Sequence, residues 1–180
     1  MRIITGQFKS RQIKTPQGIR PSEDRLRKSL FDILGDVSGL SLLDLFAGSG
    51  SVGLEALSRA AQKAVFVDNS RLSCRSIETN LGALGCGDKA EVICQDAFRV
   101  TGNLASKGVK FDLIFLDPPY YRDLAEKMLQ ILGVCDILLL SGYVIIQHFR
   151  KDPVSEKAGN LVLWRQERYG DSLLSFYKRG

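Results

Sequence analysis

From Leu42 onward the chain keeps one rhythm: a short apolar run, a tight turn, then an amphipathic helical stretch. The apolar runs Leu42–Leu45, Ala64–Asp68, Glu91–Cys94, Phe111–Leu116 and Tyr143–Gln147 read as strands. Between them, Val52–Arg59, Leu72–Leu84, Ala97–Ser106 and Leu124–Leu132 read as helices. Short apolar strands alternating with helices predict a parallel, doubly wound α/β sheet covered on both faces. The two ends break the rhythm. Arg2–Thr5 and Arg11–Lys14 predict a small N-terminal β-hairpin, with Gly6 helping to turn the chain. Leu161–Tyr169 and Leu173–Lys178, split by Gly170-Asp171, predict an antiparallel C-terminal hairpin on the sheet edge. Ser22 reads as an N-cap, with Glu23 and Asp24 in the first turn of a helix that carries Leu26, Leu30 and Phe31.

Composition narrows the class. The 180 residues are 44% hydrophobic and 25% charged, enough for one core without metal or disulfide support and too unbiased for a disordered or fibrous chain. The expected organisation is a single domain over 1–180, with 1–21 a basic arm and 22–180 the sheet core. Cys74, Cys86, Cys94 and Cys135 lack Cys-x-x-Cys spacing and His148 is the only histidine, so no metal site is expected. The cysteines read as small buried hydrophobes. The start of the chain has no signal-peptide run and no stretch is long and apolar enough to span a bilayer, which predicts a cytoplasmic protein without membrane contact. No apolar surface stripe calls for a dimer, so a monomer is expected. Residues 1–28 hold eight basic and two acidic residues, 29–148 ten and fourteen, and 149–180 seven and four. Basic ends around an acidic centre suit a polyanion held by the ends.

The turn after the first strand is glycine-rich. Asp44-Leu45-Phe46-Ala47-Gly48-Ser49-Gly50-Ser51-Val52-Gly53 places Gly48, Gly50 and Gly53 as G-x-G-x-x-G, and Asp68 ends the next strand with Asn69 beside it. That pattern lets backbone approach a ligand at a helix N-terminus while a carboxylate meets ribose hydroxyls. It fits NAD, and hence an oxidoreductase, as well as S-adenosylmethionine (SAM). Asp44 separates them: a carboxylate here repels a diphosphate and favours a sulfonium and an ammonium group. Asp96, just past the third strand and followed by Ala97, is placed either to bond an adenine amine or to cap the next helix.

The fourth strand ends in Asp117-Pro118-Pro119-Tyr120. It sets Asp117 where doubly wound sheets bind ligands, and Pro119 stiffens the loop behind it. The prolines contribute no N–H, so the Asp117 carboxylate and Pro118 carbonyl offer acceptors at one point. Two acceptors suit an exocyclic nucleobase amine, whose delocalised lone pair they would localise towards a methyl donor, and Tyr120 offers a ring for a flipped base. The same geometry serves adenine-N6 or cytosine-N4 DNA methylation, although 180 residues leave no room for a separate target-recognition domain. A non-catalytic RNA-binding factor that keeps the fold is a further reading.

Asp44–Gly53 together with Asp117–Tyr120 resembles the class I SAM-dependent amino-methyltransferases. The ends narrow the resemblance. Met1-Arg2-Ile3-Ile4-Thr5-Gly6, Arg20-Pro21-Ser22-Glu23-Asp24-Arg25-Leu26-Arg27, Leu30–Leu34, Arg168-Tyr169-Gly170-Asp171 and Phe176-Tyr177 are similar to the bacterial 16S rRNA guanine-N2 methyltransferase (RsmD) family. The resemblance implies a Rossmann-like sheet of seven strands and transfer of a methyl group from SAM to guanine N2 in small-subunit rRNA. It also implies that the RNA is presented on an assembled or partly assembled subunit. Carried onto this chain, it implies that Phe46, Ala47, Gly48, Ser49, Gly50, Gly53 and Asp68 bind SAM, with Asp96 and Ala97 at the adenine. Asp117, Pro118, Pro119 and Tyr120 would hold the base, and Arg20-Pro21-Ser22 would close over cofactor or substrate. Arg2, Lys9, Arg11, Lys14 and Arg20 are the expected RNA contacts. Three positions depart from the family: Ser10 stands where Gly is frequent, Ser22 where Thr is usual, and Gln147 where an acidic residue is common. His148 reads as a structural residue at a strand end.

Overall fold

The computed structural model describes residues 1–15, 24–120 and 123–180; Arg20, Pro21 and Ser22 lie outside that range. The chain falls into two compact units, Met1–Asp96 and Ala97–Gly180.

The first unit contains α1 (Asp24–Leu34), β1 (Ser41–Leu45), α2 (Ser51–Ser58), β2 (Lys63–Asp68), α3 (Arg71–Leu84) and β3 (Ala90–Cys94), with a 3₁₀ turn at Gly87–Lys89. Its strands are parallel, with β2 paired to both neighbours: Leu43 lies opposite Val65, and Phe66 opposite Val92. α2 and α3 bury Leu54, Leu57, Ile77 and Leu81 in one cluster with Ala64 and Phe66 of β2. α2 stops in a Schellman arrangement, Ala61 N–H bonding Ala56 O at 3.0 Å and Ala60 N–H bonding Leu57 O at 3.1 Å. Ala60 takes the left-handed position at φ 68° that glycine usually fills.

The N-terminal segment folds back antiparallel, as the sequence reading expected, over a short pairing. Arg2 and Gln12 form an antiparallel bridge, flanked by Ile3 N–H to Arg11 O at 3.0 Å and Ile13 N–H to Met1 O at 2.9 Å. Further backbone groups of the segment are held by the helices. Ile4 and Thr5 N–H donate to the Glu55 carboxylate at 2.7 and 3.0 Å, and Asn80 exchanges two bonds of 2.9 Å with the Lys14 backbone. Ile3 and Ile13 belong to the same core cluster as Leu54 and Leu57. Gly6 sits against α2: a Cβ there would lie 1.9 Å from the Ser58 carbonyl oxygen, so only glycine fits.

The second unit contains α4 (Ala97–Ser106), β4 (Phe111–Leu116), α5 (Leu124–Val134), β5 (Leu138–Phe149), β6 (Lys157–Ala158), β7 (Leu161–Tyr169) and β8 (Ser172–Arg179). β4 and β5 are parallel, β5–β8, β8–β7 and β7–β6 antiparallel. The C-terminal hairpin turns at Gly170, whose φ of 61° supplies the left-handed residue of a two-residue loop. The described residues hold eight strands, three and five, where seven were expected. The extra one, β6, is two residues long, too short to leave a periodicity. β5 also starts five residues before the expected Tyr143, at Leu138. Its register against β4 shifts there and leaves Leu139 and Leu140 exposed, which breaks the strand pattern in the sequence. Of the cysteines, Cys74 and Cys86 are buried as expected, whereas Cys94 is exposed and Cys135 half-buried. Among the described residues no helix is long and apolar enough to cross a membrane.

Candidate functional site

In the first unit, β1 delivers the glycine loop. Asp44 is buried in the strand and accepts the Gly53 N–H at 3.0 Å, tying the strand to the first turn of α2. Phe46 adopts φ 58°, a left-handed conformation that strains a bulky residue, and Gly48 and Gly50 follow at 56° and 73°. These three turns reverse the chain within five residues, and the Gly50 N–H closes on the Ala47 carbonyl at 2.7 Å. Ser49 is buried and Ala47 half-buried. Gly53 is required by packing: a Cβ there would sit 2.2 Å from the Phe66 ring.

Asp68, at the end of β2, binds both the loop and the start of α3. One carboxylate oxygen accepts Gly48 N–H at 2.8 Å, and the other accepts Ser70 N–H at 2.8 Å. A carboxylate has about four acceptor sites, so two remain for a ribose diol. Asn69 beside it is exposed, as is Asp96, directly ahead of α4, while Ala97 is buried. The structure therefore brings Asp44, Phe46–Gly53 and Asp68 together through backbone hydrogen bonds. The Gly48 and Gly53 N–H groups are occupied by the chain's own carboxylates.

In the second unit, β4 carries Asp117 out of a buried strand. Asp117 is half-buried, Pro118 buried, Pro119 exposed and Tyr120 half-buried. Burial pushes the Asp117 carboxyl up to about 7. The Tyr120 ring stacks on Phe149 of β5 with centroids 5.7 Å apart, and its hydroxyl meets the Ser172 hydroxyl at 3.0 Å. Pro118, Pro119 and Tyr120 line a crevice with His148, Asp152 and Pro153. His148 Nδ1 lies 2.8 Å from the Asp152 carbonyl and 3.2 Å from that of Phe149, so it must donate. Nε2 then accepts from the Ser175 hydroxyl at 2.8 Å, and that oxygen accepts in turn from Gln166. Burial lowers the imidazole pKa and keeps it neutral, so His148 clamps the loop beyond β5.

Sequence reasoning missed the Arg27–Glu55 centre. Both side chains are fully buried, 3.7 Å apart, and Glu55 also accepts from Arg59 at 3.0 Å. Arg27 donates to the Arg2 carbonyl at 2.6 Å and to Asp24 at 2.9 Å. The pair joins α1, α2 and the N-terminal segment. The one signal for it was a glutamate inside the otherwise apolar stretch Val52–Leu57. Of the expected RNA contacts, Arg2, Lys9, Arg11 and Lys14 are exposed on the outer side of that segment. The described residues hold no cluster of three potential metal ligands.

Comparison with known proteins agrees over the whole chain. Ribosomal RNA small subunit methyltransferase D of Escherichia coli K12 is 33% identical, covering 99% of this chain and 90% of that protein. A hypothetical protein of Thermus thermophilus superposes with a TM-score of 0.86 at 32% identity, covering 99% of each chain. A SAM-dependent methyltransferase from Agrobacterium tumefaciens shares the fold, with a TM-score of 0.66 at 18% identity over 89% of this chain and 63% of that one. The family described as Conserved hypothetical protein 95 matches residues 1–178. The chain belongs to that family, the RsmD family of the sequence resemblance.

Proposed function

We propose that this chain transfers a methyl group from SAM to the exocyclic N2 amine of a guanine in small-subunit rRNA, acting as one domain. The observation that carries the chemistry is the Asp117 carboxyl at the end of β4, lifted to about 7 and followed by two prolines. The likeness to ribosomal RNA small subunit methyltransferase D over 99% of the chain supports rRNA as the substrate class.

The loop of the first unit suits SAM better than a nicotinamide dinucleotide. Asp44 accepts the Gly53 N–H and Asp68 the Gly48 N–H, so a diphosphate at this loop would meet two carboxylates. A cationic cofactor meets the opposite sign. Phe46, Ala47, Gly48, Ser49 and Gly50 would hold it, Asp68 and Asn69 would take the ribose, and Asp96 and Ala97 the adenine. Ser22 belongs to the same proposal from sequence alone. When bound, SAM supplies an electrophilic methyl group.

Asp117 and the Pro118 carbonyl accept the two amino protons of the base. This holds the amine in one orientation and localises its lone pair away from the ring. The nitrogen becomes cationic as it gains the methyl group, and one proton must then leave. In this reading an Asp117 oxygen takes that proton and, with a pKa near neutrality, releases it to water. Tyr120, steadied by Phe149 and Ser172, offers its ring to the extruded base. Replacing Asp117 with Ala removes one acceptor and the proton site. Methyl transfer to undermethylated small subunits should fall at least 1000-fold, on the order of one lost electrostatic contact plus the proton acceptor. SAM affinity by calorimetry should stay within about twofold, and normal turnover would refute the assignment.

A further inference from the structure

The C-terminal hairpin leaves its regular ladder at one point. Leu163 pairs with Tyr177 and Arg165 with Phe176, so Trp164 is an extra residue bulged from β7. A bulge gives up a rung of pairing and re-aims the side chains beside it. Here Trp164 and Arg165 both come to the Phe176 side of the hairpin. The Trp164 ring leans on Tyr143, with centroids 5.3 Å apart at 43°, and meets the edge of Phe176 at 6.4 Å and 88°. Two neighbours thus fix its orientation, yet Trp164 stays 43% exposed. The opposite side of the hairpin is covered, since Ala158, Leu161 and Tyr177 are buried.

Three cations share the open side. Lys178 lies two residues from Phe176 on β8 and opposite Val162, which is itself opposite Lys157 of β6, so period-two alternation puts both lysines on the Trp164 side. Both are exposed and enter no ion pair among the described residues. Arg165 is exposed too, and its 2.8 Å pair with Glu167 is a surface contact that exchanges readily for a phosphate.

We infer that this bulged face is a second RNA-binding surface, on which one unpaired base of the substrate stacks against Trp164 while Lys157, Lys178 and Arg165 hold the flanking phosphates. The inference rests on the proposed rRNA substrate and adds a contact distant in sequence from the N-terminal basic segment. A half-exposed indole on a firm aromatic base is the group that binds single-stranded nucleic acid, because every base offers a π-face. Duplex RNA hides those faces. Lysines are depleted from protein–protein interface cores, so their place beside the ring favours a polyanion over a protein.

Trp164 is the only tryptophan, so the unmodified protein reports on its own surface. Titration with a short single-stranded oligoribonucleotide, followed by both labelled-RNA anisotropy and tryptophan emission, tests the inference. Emission should be quenched in step with the rise in anisotropy. Trp164→Leu should weaken binding about fivefold to a hundredfold, and Trp164→Phe should restore most of it. Lys157→Gln with Lys178→Gln should flatten the slope of log affinity against log salt by about 1.4. Binding without quenching, unaltered in Trp164→Leu, would overturn this surface and leave the RNA substrate standing. No rise in anisotropy would also overturn this surface, while the rRNA substrate is tested separately by methyl transfer to small subunits. Quenching by small subunits but not by protein-free RNA would assign the face to a protein and also overturn the inference.

Discussion

At Asp117 burial lifts a carboxyl from its usual range near 4 to about 7, so the same residue governs activity and stability in opposite directions. The acceptor role needs the carboxylate. With saturating cofactor, kcat/KM for the RNA should rise about tenfold per pH unit below 7 and level off above it, and Asp117→Asn should lack that limb. For stability, the folded protein keeps a proton that the unfolded chain releases between about pH 4 and 7. The contribution of this group to stability therefore falls as pH rises through that window. Asp117→Asn should be more stable than the parent at pH 8, by at most a few kcal/mol, and nearly match it at pH 4. A thermal melt at the two pH values checks both signs. Ser10 is a second residue at which the backbone conformation bears on stability. Its φ of 67° is left-handed, a conformation that costs a residue with a side chain and not glycine. Ser10→Gly should raise stability by about 0.5–1 kcal/mol in a denaturant titration.

Among the elements, α2 does two things at once. Its first turn is tied to Asp44 through Gly53, and its middle carries Glu55, the buried anion that receives the N-terminal backbone, Arg27 and Arg59. Glu55→Ala leaves the buried Arg27 with the exposed Asp24 as its remaining anion and two backbone N–H groups unpaired. We expect a loss of about 3–5 kcal/mol, with faster hydrogen exchange at Ile4 and Thr5. Unchanged exchange there would mean that the segment is held by Ile3 and Ile13 alone. The strand–helix alternation was legible because each apolar run has the length and period of its element. The boundaries of β4, α4 and β3 follow within a residue. Local periodicity could not show the Glu55 centre, which joins residues about 25 to 50 apart in sequence. Nor could it show a two-residue β6 or the bulge at Trp164, since neither leaves a repeat to read. Gly48, Gly53 and Asp68 were legible as a loop with a carboxylate, but their mutual hydrogen bonds come only from the fold.

Across the whole molecule, charge and chemistry separate. The acidic centre of the sequence supplies Asp44, Asp68 and Asp117, each at or near a strand end, while the basic ends form an exposed N-terminal face and a cationic C-terminal hairpin. Converting Lys9, Arg11 and Lys14 to Gln should weaken RNA binding and lower its salt dependence without altering SAM affinity. Equal RNA affinity would return those charges to ordinary surface. The central claim is the identity of the methylated atom. Incubating the protein with isotopically labelled SAM and undermethylated small subunits, protein-free rRNA or duplex DNA, then mapping the label by mass spectrometry of nuclease digests, tests it most directly. The account predicts label as N2-methylguanosine at a discrete position of the small-subunit rRNA, and none in DNA. Label on adenine N6 or cytosine N4 in DNA, with none in rRNA, would contradict it.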